Sequence, residues 1–109
     1  IGVAGDEEAF VQLMNQRSAE LGLSDSTWGN PHSLDNTLHL ASAYDLAMIA
    51  RQALTHEMFN TLITTLEYTM PWPNNDGYDR YLYNYNTWLD VYPGADGVKT
   101  GYTALAGAI

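Results

Sequence analysis

The most informative part of this chain of 109 residues is Asp96-Gly97-Val98-Lys99-Thr100-Gly101-Tyr102-Thr103. Its small, β-branched and polar residues predict a strand over residues 97–103. A second strand, predicted over residues 106–109, follows a short turn and completes a hairpin. The turn Pro93-Gly94 separates this hairpin from a tyrosine-rich segment, 78–92, whose secondary structure the pattern does not assign.

Four consecutive residues of the first strand carry groups suited to an anionic ligand. Lys99 supplies a positive charge, and the hydroxyl of Thr100 can donate to a carboxylate. Gly101 lets a ligand lie flat against the strand, because glycine has no side chain to block the approach. The backbone N–H of Tyr102 is a candidate donor to an oxyanion. Taken alone, the same residues also fit a surface strand with an incidental lysine.

Lys-Thr-Gly is one of three motifs that build a penicillin-recognising serine acyl-transfer site, together with Ser-x-x-Lys and a Ser-x-Asn-type motif. Lys99 is the only lysine of the chain, and Asp96 stands three positions before it, so the chain contains no Ser-x-x-Lys. None of its five serines is followed by an asparagine two residues later. The motif therefore indicates a chemistry whose nucleophile is not among these residues.

Composition excludes several classes of function. Thirteen acidic residues against four basic ones give a net charge of −9, which repels phosphate backbones and argues against nucleic-acid binding. A chain without cysteine has no disulfide, thiolate zinc site or cysteine nucleophile. His32, His39 and His56 are seven and seventeen residues apart, which fits no standard metal-binding pair. We therefore expect neither a metal nor a cofactor.

The sequence does not predict a membrane span or an export signal. No apolar run approaches the roughly 20 residues that cross a bilayer. The first five residues lack a basic start and are typical of the end of a helix, so no targeting signal is expected. An opening on a helix end and an abrupt end in a strand lead us to expect a piece of a larger domain.

The first forty residues predict one helix and one ordered loop. Asp6 is expected to cap a helix that ends at Gly22. Its apolar stripe, with one cation at the edge, comprises Phe10, Leu13, Met14, Arg17 and Leu21. Residues 24–40 are rich in serine, threonine, asparagine, glycine and proline, which predicts a loop.

The middle of the chain predicts two further helices and a strand, and so an α/β architecture. Ser42 is expected to begin the second helix, with Asp45 three residues on as in a capping box. Residues 57–64 predict a short third helix, residues 66–72 a strand, and residues 74–77 a tight turn. We expect the helices to pack on an antiparallel sheet.

Several stretches occur in an order and at a spacing that identify one family. They are Phe10-Val11-x-Leu13-Met14-Asn15, Leu21-Gly22-Leu23-x-x-Ser26-Thr27, Asn30-Pro31-His32-x-Leu34, Ser42-Ala43-x-Asp45-Leu46-Ala47 and Tyr92-Pro93-Gly94-x-Asp96-Gly97-Val98-Lys99-Thr100-Gly101-Tyr102-Thr103-x-x-Ala106-Gly107. With them the chain resembles the serine-type D-alanyl-D-alanine carboxypeptidases, the low-molecular-mass penicillin-binding proteins. The resemblance implies that residues 1–109 are a single partial domain, a segment of the penicillin-binding-protein and β-lactamase-like transpeptidase fold.

The resemblance also implies a function for the parent protein. It implies a peptidase that removes the terminal D-alanine from peptidoglycan stem peptides ending in D-Ala-D-Ala, through an acyl-enzyme that β-lactams also form. It implies an extracytoplasmic location in the bacterial cell envelope. The isolated chain is expected to be inactive, because the nucleophile is missing, and to associate with itself through uncovered apolar surface.

Carried onto this sequence, the family motif implies two catalytic residues. Lys99 would organise charge around the nucleophile, and the amide of Tyr102 would help to hold the oxyanion. Thr100, Gly101 and Thr103 are implied to bind the substrate, with the Thr100 hydroxyl on its terminal carboxylate.

The chain departs from the family pattern at two places, and two other functions stay open. Ser33 stands where the family's loop usually has glycine, and the nearest second basic residue before the motif is Arg80.

The alternatives are a non-catalytic module that binds peptidoglycan or a partner, and a class A β-lactamase fragment. The second is disfavoured because no Glu-x-x-Leu-Asn precedes Lys99. The tyrosines at positions 78, 81, 83, 85 and 92 suit packing between helices and sheet, which we prefer, or a sugar-binding groove.

Overall fold

The computed structural model describes residues 2–71 and 77–108, which contain four helices and four short strands. In chain order these are α1 (Glu7–Glu20), α2 (Ala43–Ala53), α3 (Glu57–Thr64), β1 (Glu67–Met70), β2 (Arg80–Tyr83), α4 (Trp88–Val91), β3 (Tyr102–Thr103) and β4 (Gly107–Ala108). β1 pairs antiparallel with β2, and β3 pairs with β4. The chain divides into two units, Ile1–Gln52 with Thr103–Gly107 and Ala53–Tyr102 with Ala108–Ile109.

Helix α1 begins and ends as its sequence predicts. The side chain of Asp6 accepts a hydrogen bond from the N–H of Ala9 at 2.8 Å, which caps the first turn. Gly22 follows the helix end with φ +75°, a conformation that glycine adopts without steric cost. Arg17 forms an exposed ion pair with Glu20 at 2.9 Å, as expected for a cation at the edge of the apolar stripe.

The apolar stripe of α1 meets side chains of α2 around a groove of about 540 Å³ in the first unit. The groove is lined mainly by Phe10, Leu13, Met14, Leu21, Leu46 and Ile49. This confirms that the predicted stripe forms one surface. Among the described residues, Leu23 is the one apolar side chain that is almost fully buried, with 6% exposed. Polar contacts must therefore supply much of the order in this unit.

The predicted loop over residues 24–40 is ordered by side chains that bind its backbone. The amide of Asn15 accepts from the N–H of Trp28 at 2.9 Å and donates to the carbonyls of Trp28 and Val11 at 2.8 and 2.9 Å. The indole N–H of Trp28 donates to Ser18 Oγ at 2.5 Å. Its ring meets the ring of His39 edge to face, with centroids 5.6 Å apart. Two residues of α1, Asn15 and Ser18, thus fix the loop at a single tryptophan.

The start of α2 contains the most deeply buried carboxylate of the described chain. The hydroxyl of Ser42 accepts from the N–H of Asp45 at 3.0 Å, which is one half of the predicted capping box. The Asp45 carboxylate, 1% exposed, accepts from the N–H of Asp25 at 3.0 Å instead of closing the box. The N–H of Ser42 donates to Ser26 Oγ at 3.1 Å. The cap therefore ties α2 to the preceding loop.

Ser33, where the family usually has glycine, adopts a left-handed backbone with φ +64°. Its N–H donates to Asn30 Oδ1 at 2.8 Å, and Asn30 Nδ2 donates to the carbonyl of Leu34 at 2.9 Å. Asn30 is only 4% exposed, so this turn closes around a buried amide. A residue with a Cβ is strained in this conformation, which explains why glycine is suited to the position.

The second unit contains α3, the β1–β2 pair and α4. The predicted third helix is observed over Glu57–Thr64, and the predicted strand over residues 66–72 is observed as Glu67–Met70. Trp72 and residues 74–76 of the predicted turn lie outside the described residues. The unassigned segment 78–92 contains β2 and α4. Glu67 pairs with Tyr83 and Thr69 with Tyr81, so these four side chains share one face.

The strand predicted over residues 97–103 is wrong for residues 97–101. Only Tyr102–Thr103 forms β3, and the partner strand is Gly107–Ala108 within the predicted range. Gly97 has φ +133°, which lies outside the strand region. A strand also needs a neighbour to bind its backbone groups, and no described residue forms a ladder with residues 97–101.

No helix in the part of the chain that the structure describes has the length and apolar character needed to cross a membrane.

Candidate functional site

Lys99 and Thr100 line an open cavity of about 500 Å³ in the second unit. That volume is within the range of small-molecule and peptide side-chain sites. The cavity walls are mainly apolar or aromatic and include Leu62, Leu66, Tyr68, Leu82, Tyr83 and Tyr85. Two of the five residues predicted for the site are thus brought together beside an apolar surface.

Lys99 is exposed. Its ammonium donates to the carbonyl of the next residue, Thr100. Among residues 2–71 and 77–108, no ion pair joins it to a carboxylate. A cation without a counter-charge can attract an anionic ligand.

The course of the backbone before Lys99 depends on a glycine. A Cβ at Gly97 would lie 2.5 Å from Cδ1 and 3.2 Å from Cγ1 of Ile63 in α3. Gly97 also has a positive φ, so both its conformation and its close approach to α3 require glycine. The sequence pattern predicts this glycine within a strand, whereas in the structure it sets how near Lys99 and Thr100 run to α3.

The other three predicted residues do not line the cavity. Gly101 and Tyr102 are exposed, and the side chain of Tyr102 is 76% exposed. The hydroxyl of Thr103 accepts from the N–H of Ala106 at 3.0 Å in the turn between β3 and β4. Thr103 belongs to the first unit, whereas residues 99–102 belong to the second. Its hydroxyl shapes the turn, and its proposed substrate contact stays a prediction.

The packing preferred for the five tyrosines is not observed. Their exposed fractions run from 51% for Tyr81 to 87% for Tyr85. Of the five, Tyr83 and Tyr85 line the cavity that Lys99 shares. The sequence analysis weighed Tyr85 only as one of five tyrosines, and the asparagine on each side of it does not by itself single it out.

Tyr81 lies on the face of the β1–β2 pair next to Tyr83. Their rings meet edge to face with centroids 4.6 Å apart. The hydroxyl of Tyr81 donates to Glu67 Oε2 at 2.5 Å, and this hydrogen bond, with a smaller contribution from lost solvation, raises the pKa of Tyr81 to about 12. The bond also holds the carboxylate of Glu67, a cavity residue, in one position.

The histidines take part in local contacts. His39 Nδ1 accepts from the N–H of Gly29 at 3.1 Å, and His32 lies 3.5 Å from a carboxylate oxygen of Glu7. Within the described ranges, no group of three or more histidine, aspartate or glutamate side chains could hold a metal ion.

Comparison with protein families and curated proteins gives concordant results. The family described as D-alanyl-D-alanine carboxypeptidase, peptidase S11, matches residues 2–109. D-alanyl-D-alanine carboxypeptidase DacF of Bacillus subtilis is 39% identical over 104 residues, which are 95% of this chain and 26% of that protein. DacC of Escherichia coli is 35% identical over 107 residues, covering 96% of this chain and 25% of that protein. The chain thus spans about a quarter of the length of these relatives.

Solved structures show the same likeness in three dimensions. A D-alanyl-D-alanine carboxypeptidase from Mycobacterium tuberculosis H37Rv superposes with a TM-score of 0.87 at 29% identity, over 98% of this chain and 40% of that one. The DD-transpeptidase of Streptomyces K15 gives a TM-score of 0.80 at 30% identity, over 89% and 38%. The predicted segment of a penicillin-binding-protein fold is therefore confirmed.

Proposed function

Because the chain belongs to the D-alanyl-D-alanine carboxypeptidase family, we propose that it is the Lys-Thr-Gly segment of a serine-type enzyme that trims peptidoglycan stem peptides ending in D-Ala-D-Ala. The observation that carries this proposal is Lys99 beside Thr100 on an open cavity, without a carboxylate partner in the described chain. Since the chain spans about a quarter of the length of DacF and DacC, we assign the activity to a longer protein of which residues 1–109 are one partial domain.

We assign substrate binding to the groups that present donors or leave clearance. The ammonium of Lys99 attracts the terminal carboxylate of the peptide, and the Thr100 hydroxyl donates to it. Gly101 leaves room for the peptide backbone, and Thr103 is assigned a contact with the same peptide. The N–H of Tyr102 is assigned to the reacting carbonyl, where negative charge develops.

In the proposed reaction, a serine hydroxyl from outside this chain attacks the carbonyl carbon of the penultimate D-alanine. The bond from that carbon to the terminal D-alanine nitrogen breaks, the nitrogen takes up the proton that the serine releases, and D-alanine leaves. Water then hydrolyses the ester, which restores the serine and frees a peptide one residue shorter. Lys99 and the Tyr102 N–H stabilise the negative charge of the intermediates.

We propose that the enzyme lies outside the cytoplasm in the cell envelope, because its substrate is peptidoglycan. The same serine is proposed to open β-lactam rings. Intact-mass spectrometry after incubation with benzylpenicillin tests the division of labour. We expect one penicilloyl adduct on the longer protein and none on residues 1–109, because an acyl-enzyme needs the nucleophile. An adduct on the short chain, or none on the longer protein, would contradict the proposal.

Substitution of Lys99 tests its catalytic role in the longer protein. Lys99→Ala should slow acylation by both D-Ala-D-Ala peptide and penicillin about a hundredfold, the loss typical of one charge-stabilising group. Lys99→Arg should also be impaired, since a planar guanidinium does not replace a compact ammonium. Arg51→Ala, which removes an exposed cation of α2, is the control and should leave acylation unchanged. Equal acylation by the Lys99→Ala and unaltered proteins would make the lysine structural.

Uncovered apolar side chains lead us to propose that the isolated chain self-associates. Met58, Val91 and Leu105 are 71%, 70% and 85% exposed. Size-exclusion chromatography over a range of concentrations should show species larger than a monomer. A monomer at every concentration, without binding of a hydrophobic dye, would favour the non-catalytic module instead.

A further inference from the structure

Two anchored asparagines bracket one exposed residue just beyond β2. The N–H of Asn84 donates to the carbonyl of Leu66 at 2.8 Å, and its side-chain amide donates to the carbonyls of Ile63 and Thr65 at 2.9 and 3.1 Å. Asn86, 7% exposed, donates its N–H to Asn84 Oδ1 at 2.9 Å. Four hydrogen bonds therefore fix the backbone on both sides of the residue between them.

That residue is Tyr85, whose side chain is 87% exposed. A large aromatic ring with so much exposed surface contributes little to the core of the unit that carries it. A rigid backbone reduces the entropy lost when such a ring contacts a ligand, which favours binding. Tyr85 lines the same cavity as Lys99, so the ring is presented beside the cation proposed to hold the substrate carboxylate.

The charges and surfaces of this cavity define the ligand that would complement it. Lys99 suits a carboxylate, and the rings of Tyr83 and Tyr85 suit an alkyl chain. The carboxylate of Glu67, held by the hydroxyl of Tyr81, suits an amine. An ammonium at the end of an alkyl chain would also be attracted to the aromatic faces.

We propose that Tyr85 is a specificity-determining residue that contacts the side chain of the amino acid preceding the two D-alanines. The preferred side chain is an alkyl chain with a terminal amine, which lies along Tyr85 and reaches Glu67 while Lys99 holds the terminal carboxylate. This inference rests on the proposed carboxypeptidase function and names the substrate side chain that it selects.

The test compares two peptides in the longer protein, with released D-alanine as the measurement. The peptides are Nα-acetyl-L-lysyl-D-alanyl-D-alanine and Nα-acetyl-L-alanyl-D-alanyl-D-alanine. Tyr85→Ala should lower kcat/KM for the lysyl peptide about tenfold, mainly through KM, since one aromatic contact with a cation and its alkyl chain is lost. The alanyl peptide and penicillin acylation should change less than about twofold.

Matched variants separate the contribution of the aromatic face from those of the hydroxyl and of side-chain length. Tyr85→Phe should keep the preference for the lysyl peptide, because the ring and not the hydroxyl makes the contact. Tyr85→Lys, which keeps a long side chain but repels an ammonium, should reverse the preference. Glu67→Gln should lower kcat/KM for the lysyl peptide and leave kcat/KM for its Nε-acetylated form unchanged. Tyr78→Ala removes a ring that is 84% exposed but does not line the cavity, and it should leave kcat/KM for both peptides unchanged.

The outcomes distinguish this inference from the function on which it rests. Suppose that Tyr85→Ala and Tyr85→Lys keep the ratio of kcat/KM for the two peptides at the value of the unaltered protein, while Lys99→Ala slows release of D-alanine from both. The function then stands and the inference fails. If the unaltered protein releases no D-alanine from either peptide, both fail. A fall in melting temperature for Tyr85→Ala and Tyr85→Lys, with unchanged kinetics, would make Tyr85 structural and would also overturn the inference.

Discussion

Loop 24–40 and segment 97–101 are both irregular, yet they are held in opposite ways. The loop is bound by side chains at many points, with Asn15 on Trp28, His39 on Gly29 and others. In the segment, no backbone hydrogen bond joins residues 97–101 to another described residue. Its course depends instead on the missing side chain of Gly97. The polar side chains of the loop bind its backbone, whereas the Lys99 ammonium binds the carbonyl of the neighbouring Thr100.

This difference divides the consequences of substitution. Removing one partner of a buried hydrogen bond leaves the other unsatisfied, at a cost of about 1–3 kcal/mol. An exposed cation such as Lys99 contributes about 0–1 kcal/mol to stability. Substitutions in the loop should therefore act on folding, and those at Lys99 on chemistry.

The largest effect is expected from Asn15→Ala, which would break the loop at its central anchor. The change leaves the N–H and carbonyl of Trp28 without their partner, so the free energy of unfolding should fall by about 2–4 kcal/mol. Urea denaturation followed by tryptophan fluorescence measures it. Gln16→Ala, which removes an exposed contact to Glu20 in the same helix, should cost less than about 0.5 kcal/mol. Equal losses from the two variants would contradict the anchoring role of Asn15.

Gly97→Ala should destabilise the chain by about 2 kcal/mol, because a Cβ would meet Ile63 in a left-handed conformation. The neighbouring change Asp96→Ala, at an exposed site, is the control and should be nearly neutral. Thermal unfolding of both variants measures the difference. If Gly97→Ala matched Asp96→Ala, the close approach to α3 would not determine where the segment runs.

Ser33→Gly should stabilise the loop by about 0.5–1 kcal/mol. Relief of the left-handed strain, worth about 1–2 kcal/mol, exceeds the added entropy of glycine in the unfolded chain. Ser24→Gly, at an exposed loop position without a positive φ, should instead lower the free energy of unfolding by about 0.5 kcal/mol. The two changes in melting temperature should thus have opposite signs, and a shared sign would mean that backbone conformation does not govern position 33.

Local signals explain what the sequence could predict. Asp6 and Ser42 cap the helices that they were expected to begin, because a cap depends on residues within one turn. Lys99 and Thr100 are predicted from the Lys-Thr-Gly motif; both line one cavity, and their roles stay predictions. Even the ordered state of loop 24–40 follows from its many short polar side chains.

Pairing and burial explain what the sequence could not predict. Residues 97–101 have the composition of a strand, but a strand also depends on a neighbour that no local pattern supplies. Asn84 and Asn86 are typical of turns, and only the fold shows that Asn84 binds carbonyls of α3 and its C-terminal end. Tyr85 therefore could not be separated from the other tyrosines until its exposure and its neighbours were known.

The smallest effect is expected at the exposed hydrogen bond between Tyr81 and Glu67. The bond needs a protonated phenol and raises the pKa of Tyr81 to about 12, above the unfolded value of about 10. Its stabilisation is therefore complete below pH 10 and is lost as the pH rises towards 12. Spectrophotometric titration should show a transition near pH 12, which Tyr81→Phe should remove and which Tyr78→Phe, at an exposed ring, should leave in place. Ionisation of Tyr81 near its ordinary value of about 10 would show that the bond does not persist in solution, and that Glu67 is not held in place at the cavity.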